Sequence, residues 1–92
     1  MRIALKKFGD ILLSRPAGRE AGLALKAYLK PKSGEKIELD FDQVLSVGPS
    51  WLDEFLGILQ KEYGKARVVC LPSKNQSVVE SLKVIRSASA KE

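Results

Sequence analysis

The chain has 92 residues, 45% of them apolar, and sixteen Lys and Arg against eleven Asp and Glu give it a formal charge of +5. That length makes one domain, spanning 1–92, and no apolar run approaches the ~20 residues that a membrane-spanning helix requires. With no histidine and one cysteine, Cys70, a histidine-based triad, a zinc site of the usual ligand sets and an internal disulfide are all excluded.

The opening MRIALKKFGD is too charged for a signal peptide, so a cytoplasmic protein without a membrane partner is expected. The positive charge permits acidic partners, but charge alone is weak evidence for nucleic-acid binding, and no RNA-binding aromatic pattern accompanies it. A solvated basic surface is the favoured reading.

In chain order, Ile3 and Leu5 alternate with Arg2, Ala4 and Lys6, the period of a half-exposed strand. Gly9-Asp10 reads as a turn and Ile11-Leu12-Leu13 as a second short strand, which together predict an antiparallel β-hairpin. Ser14 or Arg15 should cap the first helix, with Pro16 in the first turn, where its missing N–H breaks no helical bond. Ala17, Ala21, Ala24, Leu25 and Tyr28 then fall on one side, small enough for close approach to a sheet, while Arg15, Arg19, Lys26 and Lys30 gather opposite. Arginines at a helix N-terminus oppose the helix dipole. Asp40, at the expected end of the next strand, is one partner that would relieve this. A bound anion is a second, and plain solvation a third.

Pro31-Lys32-Ser33-Gly34 stops the helix, and Ile37, Leu39 and Phe41 alternate as a strand. From Trp51 the period changes, with Phe55, Ile58 and Leu59 recurring at helical spacing. The change falls at Ser50, which is placed to cap a second helix whose early Asp53 and Glu54 suit its positive end. Gly64 ends that helix. Ala66 to Leu71 is a nearly continuous apolar run of the kind buried on both faces of a sheet, with Cys70 a core residue rather than a nucleophile. Ser77 with Glu80 reads as a capping box for a last helix striped by Val78, Leu82 and Ile85, and 87–92 is expected to fray.

The resulting fold class is α/β: an N-terminal hairpin followed by alternating helices and strands, a mostly parallel mixed sheet and about three helices. Three loops, at Ser14-Arg15, Gly48 to Ser50 and Pro72 to Asn75, should share one end of the sheet, where α/β proteins usually bind their ligands.

The run LDFDQVLSVGPSWLDEFLGIL resembles the central strand, loop and helix of STAS domains (sulfate transporter and anti-sigma-factor antagonist). It is most similar to bacterial STAS-like domains with an LDF…S…DE pattern, and with the FGDILLSR start the likeness covers nearly the whole chain. The resemblance implies a compact STAS-like sandwich. In anti-sigma-factor antagonists the corresponding loop reads D-S-S-G and a partner kinase phosphorylates a serine in it. Here those positions are Gly48, Pro49, Ser50 and Trp51, so Ser50 matches a serine while the acid and the glycine do not.

The functional expectation is a non-enzymatic regulatory module that needs no cofactor or metal. It would bind a kinase- or ATPase-like protein through Ser50, Pro49, Trp51 and Asp53, with Ser50 as a possible phosphorylation site. Two alternatives use charge: a nucleotide or phosphate site near Arg15 and Arg19, without a Walker or GxGxxG stretch, or a nucleic-acid surface along Arg15, Arg19, Lys26 and Lys30. Arg15, Arg19 and Asp40 form either an anion site or a structural ion-pair cluster.

Overall fold

The computed structural model describes residues 1–90, with side chains described to residue 87. Strand β1 (Arg2–Ala4) is followed by a 3-10 helix over Leu5–Phe8, then β2 (Ile11–Leu12), α1 (Arg15–Tyr28), β3 (Ile37–Asp40), β4 (Ser46–Val47) and α2 (Pro49–Tyr63). A second 3-10 turn, Lys65–Arg67, leads into β5 (Val68–Cys70), and α3 (Gln76–Ala90) ends the described chain. The strands make two small parallel sheets, one in the order β1-β3-β5 and the other pairing β2 with β4. This is an α/β fold with three helices and parallel strands, as the alternation of periods predicts.

The N-terminal hairpin is not formed. β1 pairs with β3, and β2 pairs in parallel with β4 in the other sheet. The reason lies in Leu5 and Phe8. Leu5 is fully buried and Phe8 packs on the rings of Trp51 and Phe55. Residues three apart point to opposite faces of a strand but eclipse in a 3-10 helix, so coiling Leu5–Phe8 turns both to the core side, Leu5 buried and Phe8 half-buried. Gly9, at φ 130, then redirects the chain.

Helix α1 is capped by Ser14, whose Oγ accepts from the Ala17 N–H at 3.2 Å, with Pro in the first turn as expected. Its buried face differs from the expected one. Gly18, Ala21, Gly22 and Leu25 are buried, whereas Ala17, Ala24 and Tyr28 are exposed. The neighbour on this face is α2 rather than a sheet. Gly18 lies against Trp51, Gly22 against Ile58, Lys26 pairs with Glu62 and Tyr63 donates to the Leu29 carbonyl, so the two helices run side by side in the same direction. That follows from their entry, each helix leaving the carboxyl end of one strand of a parallel pair.

Ile3, Ile37, Leu39 and Val68 of the first sheet join Trp51, Leu52, Phe55 and Leu59 of α2 in the core. The run Ala66 to Leu71 is not buried on both faces: its first residues form the 3-10 turn, and β5 is an edge strand with Val69 and Cys70 half-buried. A domain this small has helices enough to cover one face of the sheet. At the chain end, 87–90, expected to fray, lies in α3; 91–92 lies outside the described residues. None of the described helices is long and apolar enough to cross a membrane.

Candidate functional site

The site is built from the starts of α1 and α2 and the outer part of α3. Gly48 precedes α2, with its N–H on the Leu12 carbonyl and its carbonyl accepting from Leu52 N at 3.1 Å. Pro49, with φ preset by its ring, opens the helix. Ser50 is therefore the second helical residue and makes no capping bond, which corrects its expected role as the N-cap. The helix begins two residues early because Pro49 can start it and Gly48 can press against Leu13, where a Cβ would lie 3.2 Å from Leu13 Cδ2.

The start of α3 is likewise reassigned. Asn75 Oδ1 accepts from the N–H and hydroxyl of Ser77, at 2.9 and 2.6 Å, while Glu80 accepts from Gln76, so the Ser77/Glu80 capping box does not form. Ser77 and Ser81 are instead spent on β4: Ser77 Oγ accepts from Val47 N–H at 3.0 Å and Ser81 Oγ donates to Val47 C=O at 2.9 Å. Asn75 also donates to the carbonyls of Val44 and Leu45. The loop from Pro72 to Asn75 thus sits at the start of β4, whereas Ser14-Arg15 and Gly48 to Ser50 follow the carboxyl ends of β2 and β4.

Arg15 does not pair with Asp40. Its guanidinium contacts Asp53 at 3.3 Å and Glu54 at 3.2 Å, and hydrogen bonding to Glu54, then to Asp53, holds its pKa above the ordinary arginine value. Asp40 Oδ1 accepts from the backbone N–H of Asp42 at 2.9 Å, a local turn bond. The cause is topological: β3, which Asp40 ends, and β2, which leads into Arg15, belong to different sheets. The two acids on α2 compensate both the cation and the adjacent positive ends of two parallel helices.

Of the cationic stripe, Arg15 and Lys26 are engaged by acids of α2, the latter with Glu62 at 3.3 Å. Arg19 lines a shallow groove between α1 and α2 with Lys26, Glu54 and Glu62, and Lys30 is exposed. Cations interleaved with carboxylates make a mixed surface rather than a phosphate track. Trp51 is 1% exposed and stacks on Phe55 with ring centroids 4.8 Å apart, so it is a core residue and cannot serve as the expected partner contact.

Arg15, Pro49, Ser50 and Asp53 do come together, joined by Val84 and Ile85 of α3 around a groove of about 230 Å³. Four sequence candidates therefore share one surface, and Arg19, Asp40 and Trp51 stand apart from it. Val84, 53% exposed, was missed by sequence reasoning. Its one signal was an apolar residue lying off the Val78, Leu82, Ile85 stripe. Asp53 and Ile85 also line a larger groove of about 500 Å³ between α2 and α3, which reaches β5 through Leu56, Val68, Cys70 and Leu82. The Cys70 thiol there is pushed up in pKa by burial, against a smaller opposing effect of Arg86, and remains protonated at neutral pH.

A family model described as a STAS-like domain of unknown function matches residues 21–71, over half of the chain. The chain belongs to this STAS-like family. The match runs from within α1 to the residue after β5 and contains Pro49, Ser50 and Asp53 of the groove. Arg15, Val84 and Ile85 fall outside the matched span, so the groove of this STAS-like domain combines family residues with residues from its flanks. No curated protein and no solved structure matches the chain.

Proposed function

We propose that this STAS-like domain is a non-enzymatic regulatory module, a cytoplasmic one, that binds a protein partner on the groove around Ser50. The observation that carries the reading is the meeting of Arg15, Pro49, Ser50 and Asp53 with the exposed Val84 at the joint of three helices. An apolar centre ringed by opposite charges is the composition of a modest protein interface. By its resemblance to anti-sigma-factor antagonists, the partner is a kinase- or ATPase-like regulator. Ser50 is the residue such a partner would phosphorylate. A phosphate there would gain from the α2 N-terminus but compete with Asp53 and Glu54 for Arg15, altering the surface without touching the core.

The test compares capture of host proteins by immobilised wild-type, Val84→Glu, Ser50→Asp and Lys30→Glu domains, each checked for folding by circular dichroism. A regulator retained by wild type and Lys30→Glu but lost by Val84→Glu supports the groove. Capture unaffected by Val84→Glu sinks it. Loss with Lys30→Glu, together with a steep salt dependence, would favour the nucleic-acid reading instead.

A further inference from the structure

We propose that the larger groove, bounded by α2, α3 and β5, binds a small aliphatic carboxylate, its chain along the apolar wall and its carboxylate on Arg86 and Lys65. The proposal is independent of partner binding around Ser50.

The groove has the size and the lining of a small-molecule site. Its volume of about 500 Å³ falls within the ~300–1,000 Å³ typical of such sites. Leu56, Val68, Cys70 and Leu82 form a wall that continues the core: the first two are buried, and the other two are half-buried and packed against the core cluster. Gly57 leaves room on the α2 side, since nothing lies within 4 Å of where its Cβ would be.

Positive charge lines the same groove, so one occupant meets both. Lys65 and Arg86 belong to its lining, and neither has an acidic partner among the described residues. Arg86 opposes the rise that burial imposes on the Cys70 thiol, which places the guanidinium within electrostatic reach of the wall. The acid of the groove, Asp53, is already engaged by Arg15 at 3.3 Å. A planar guanidinium fork matches a carboxylate with two parallel bonds, and Lys65 adds a second cation.

The wall selects the rest of the ligand. Among the described residues no aromatic ring lines the groove, so a nucleobase would find no stacking platform. The start of α2, whose N–H groups could cradle a phosphate, opens through Pro49 and Ser50 on the smaller groove instead. A flexible aliphatic chain needs neither. It lies against branched aliphatic side chains and carries its one negative charge to the cations beside them.

The experiment titrates the isotopically labelled domain with hexanoate, octanoate and decanoate, each below its micellar concentration, and with octylammonium as the control of opposite charge. The expected result is saturable binding with amide shifts at Leu56, Val68, Cys70 and Leu82, tightening about tenfold for each two methylenes added. Octylammonium should not saturate, and octanoate should slow alkylation of Cys70 by iodoacetamide. Arg86 and Lys65 are exposed, so Arg86→Glu and Lys65→Glu should fold normally and bind octanoate at least about tenfold more weakly, whereas Lys30→Glu should bind as wild type does. Absence of saturable binding, equal binding of octylammonium, affinity independent of chain length, or octanoate binding unchanged in both Arg86→Glu and Lys65→Glu would each overturn the proposal. Val84→Glu keeps it distinct from the Ser50 reading: octanoate binding should be unchanged in that variant while regulator capture is lost.

Discussion

Gly18 of α1 lies directly on the backbone of Trp51 in α2: a Cβ at position 18 would sit 2.9 Å from the Trp51 Cα and closer still to its carbonyl oxygen. Backbone cannot rotate out of the way, so the helices would have to part. Gly18→Ala should cost ~1–3 kcal/mol, the usual penalty of overpacking. Gly57, exposed in the interior of α2 with nothing within 4 Å, gives the opposite sign. Gly57→Ala should stabilise by ~0.5–1 kcal/mol, through helix propensity and a less flexible unfolded chain. Urea melts of the two variants decide both, and a neutral Gly18→Ala would show that the close approach is not required.

Phe55 is fully buried, stacked on Trp51 and edge-on to Phe8 at 5.5 Å. Phe55→Ala should cost ~3–5 kcal/mol, since it removes a large aromatic and leaves a cavity between the 3-10 segment and α2. A denaturant-melt loss below ~1 kcal/mol would contradict the burial.

Three serines should respond differently to alanine. Ser14 caps α1, and its loss should cost ~0.5–2 kcal/mol. Ser81, buried and bonded to Val47 C=O, should cost ~1–3 kcal/mol, because the carbonyl is left without a partner. Ser50, which caps nothing, should stay within ~0.5 kcal/mol of wild type. A large loss at Ser50 in thermal or urea melts would restore it as a cap.

Glu35 holds a pKa below the usual glutamate range, first through the backbone N–H of Lys32 at 2.9 Å and then through the Met1 amino group at 3.2 Å. A carboxylate depressed in the folded state stabilises above its unfolded pKa, and this contribution is lost as pH falls through the lower folded value. Melting temperature measured from neutral pH into the acid range should therefore fall less steeply for Glu35→Gln, from a lower neutral starting point. Identical slopes would remove Glu35 from acid sensitivity.

Cys70 should alkylate slowly. Burial raises its pKa, so iodoacetamide should react at half its maximal rate only above the free-thiol range of about 8.5. Arg86 opposes that rise, and Arg86→Ala should move the profile further up in pH. A profile unmoved by Arg86→Ala would place the guanidinium out of reach of the sulfur.

The alternation of Ile37 and Leu39, the helical spacing of Trp51, Phe55 and Leu59, and Ser14 with Pro16 were legible in the chain because each rests on local periodicity or a bond a few residues long. They suffice for an α/β fold, and the LDFDQVLSVGPSWLDEF run pointed to the STAS-like family to which the chain belongs. What the tertiary structure alone decided concerns choices between distant partners. Leu5 and Phe8 abandon strand period for a shared aromatic core, and α1 turns its glycines towards α2. Arg15 finds Asp53 and Glu54 because β2 and β4 launch parallel helices, while β3 carries Asp40 away into the other sheet. Val84 becomes part of a groove because α3, clamped to β4 by Ser77 and Ser81, crosses beside the start of α2. Periodicity tells which face of a segment seeks burial; which neighbour meets it is a competition settled only when all the segments pack at once.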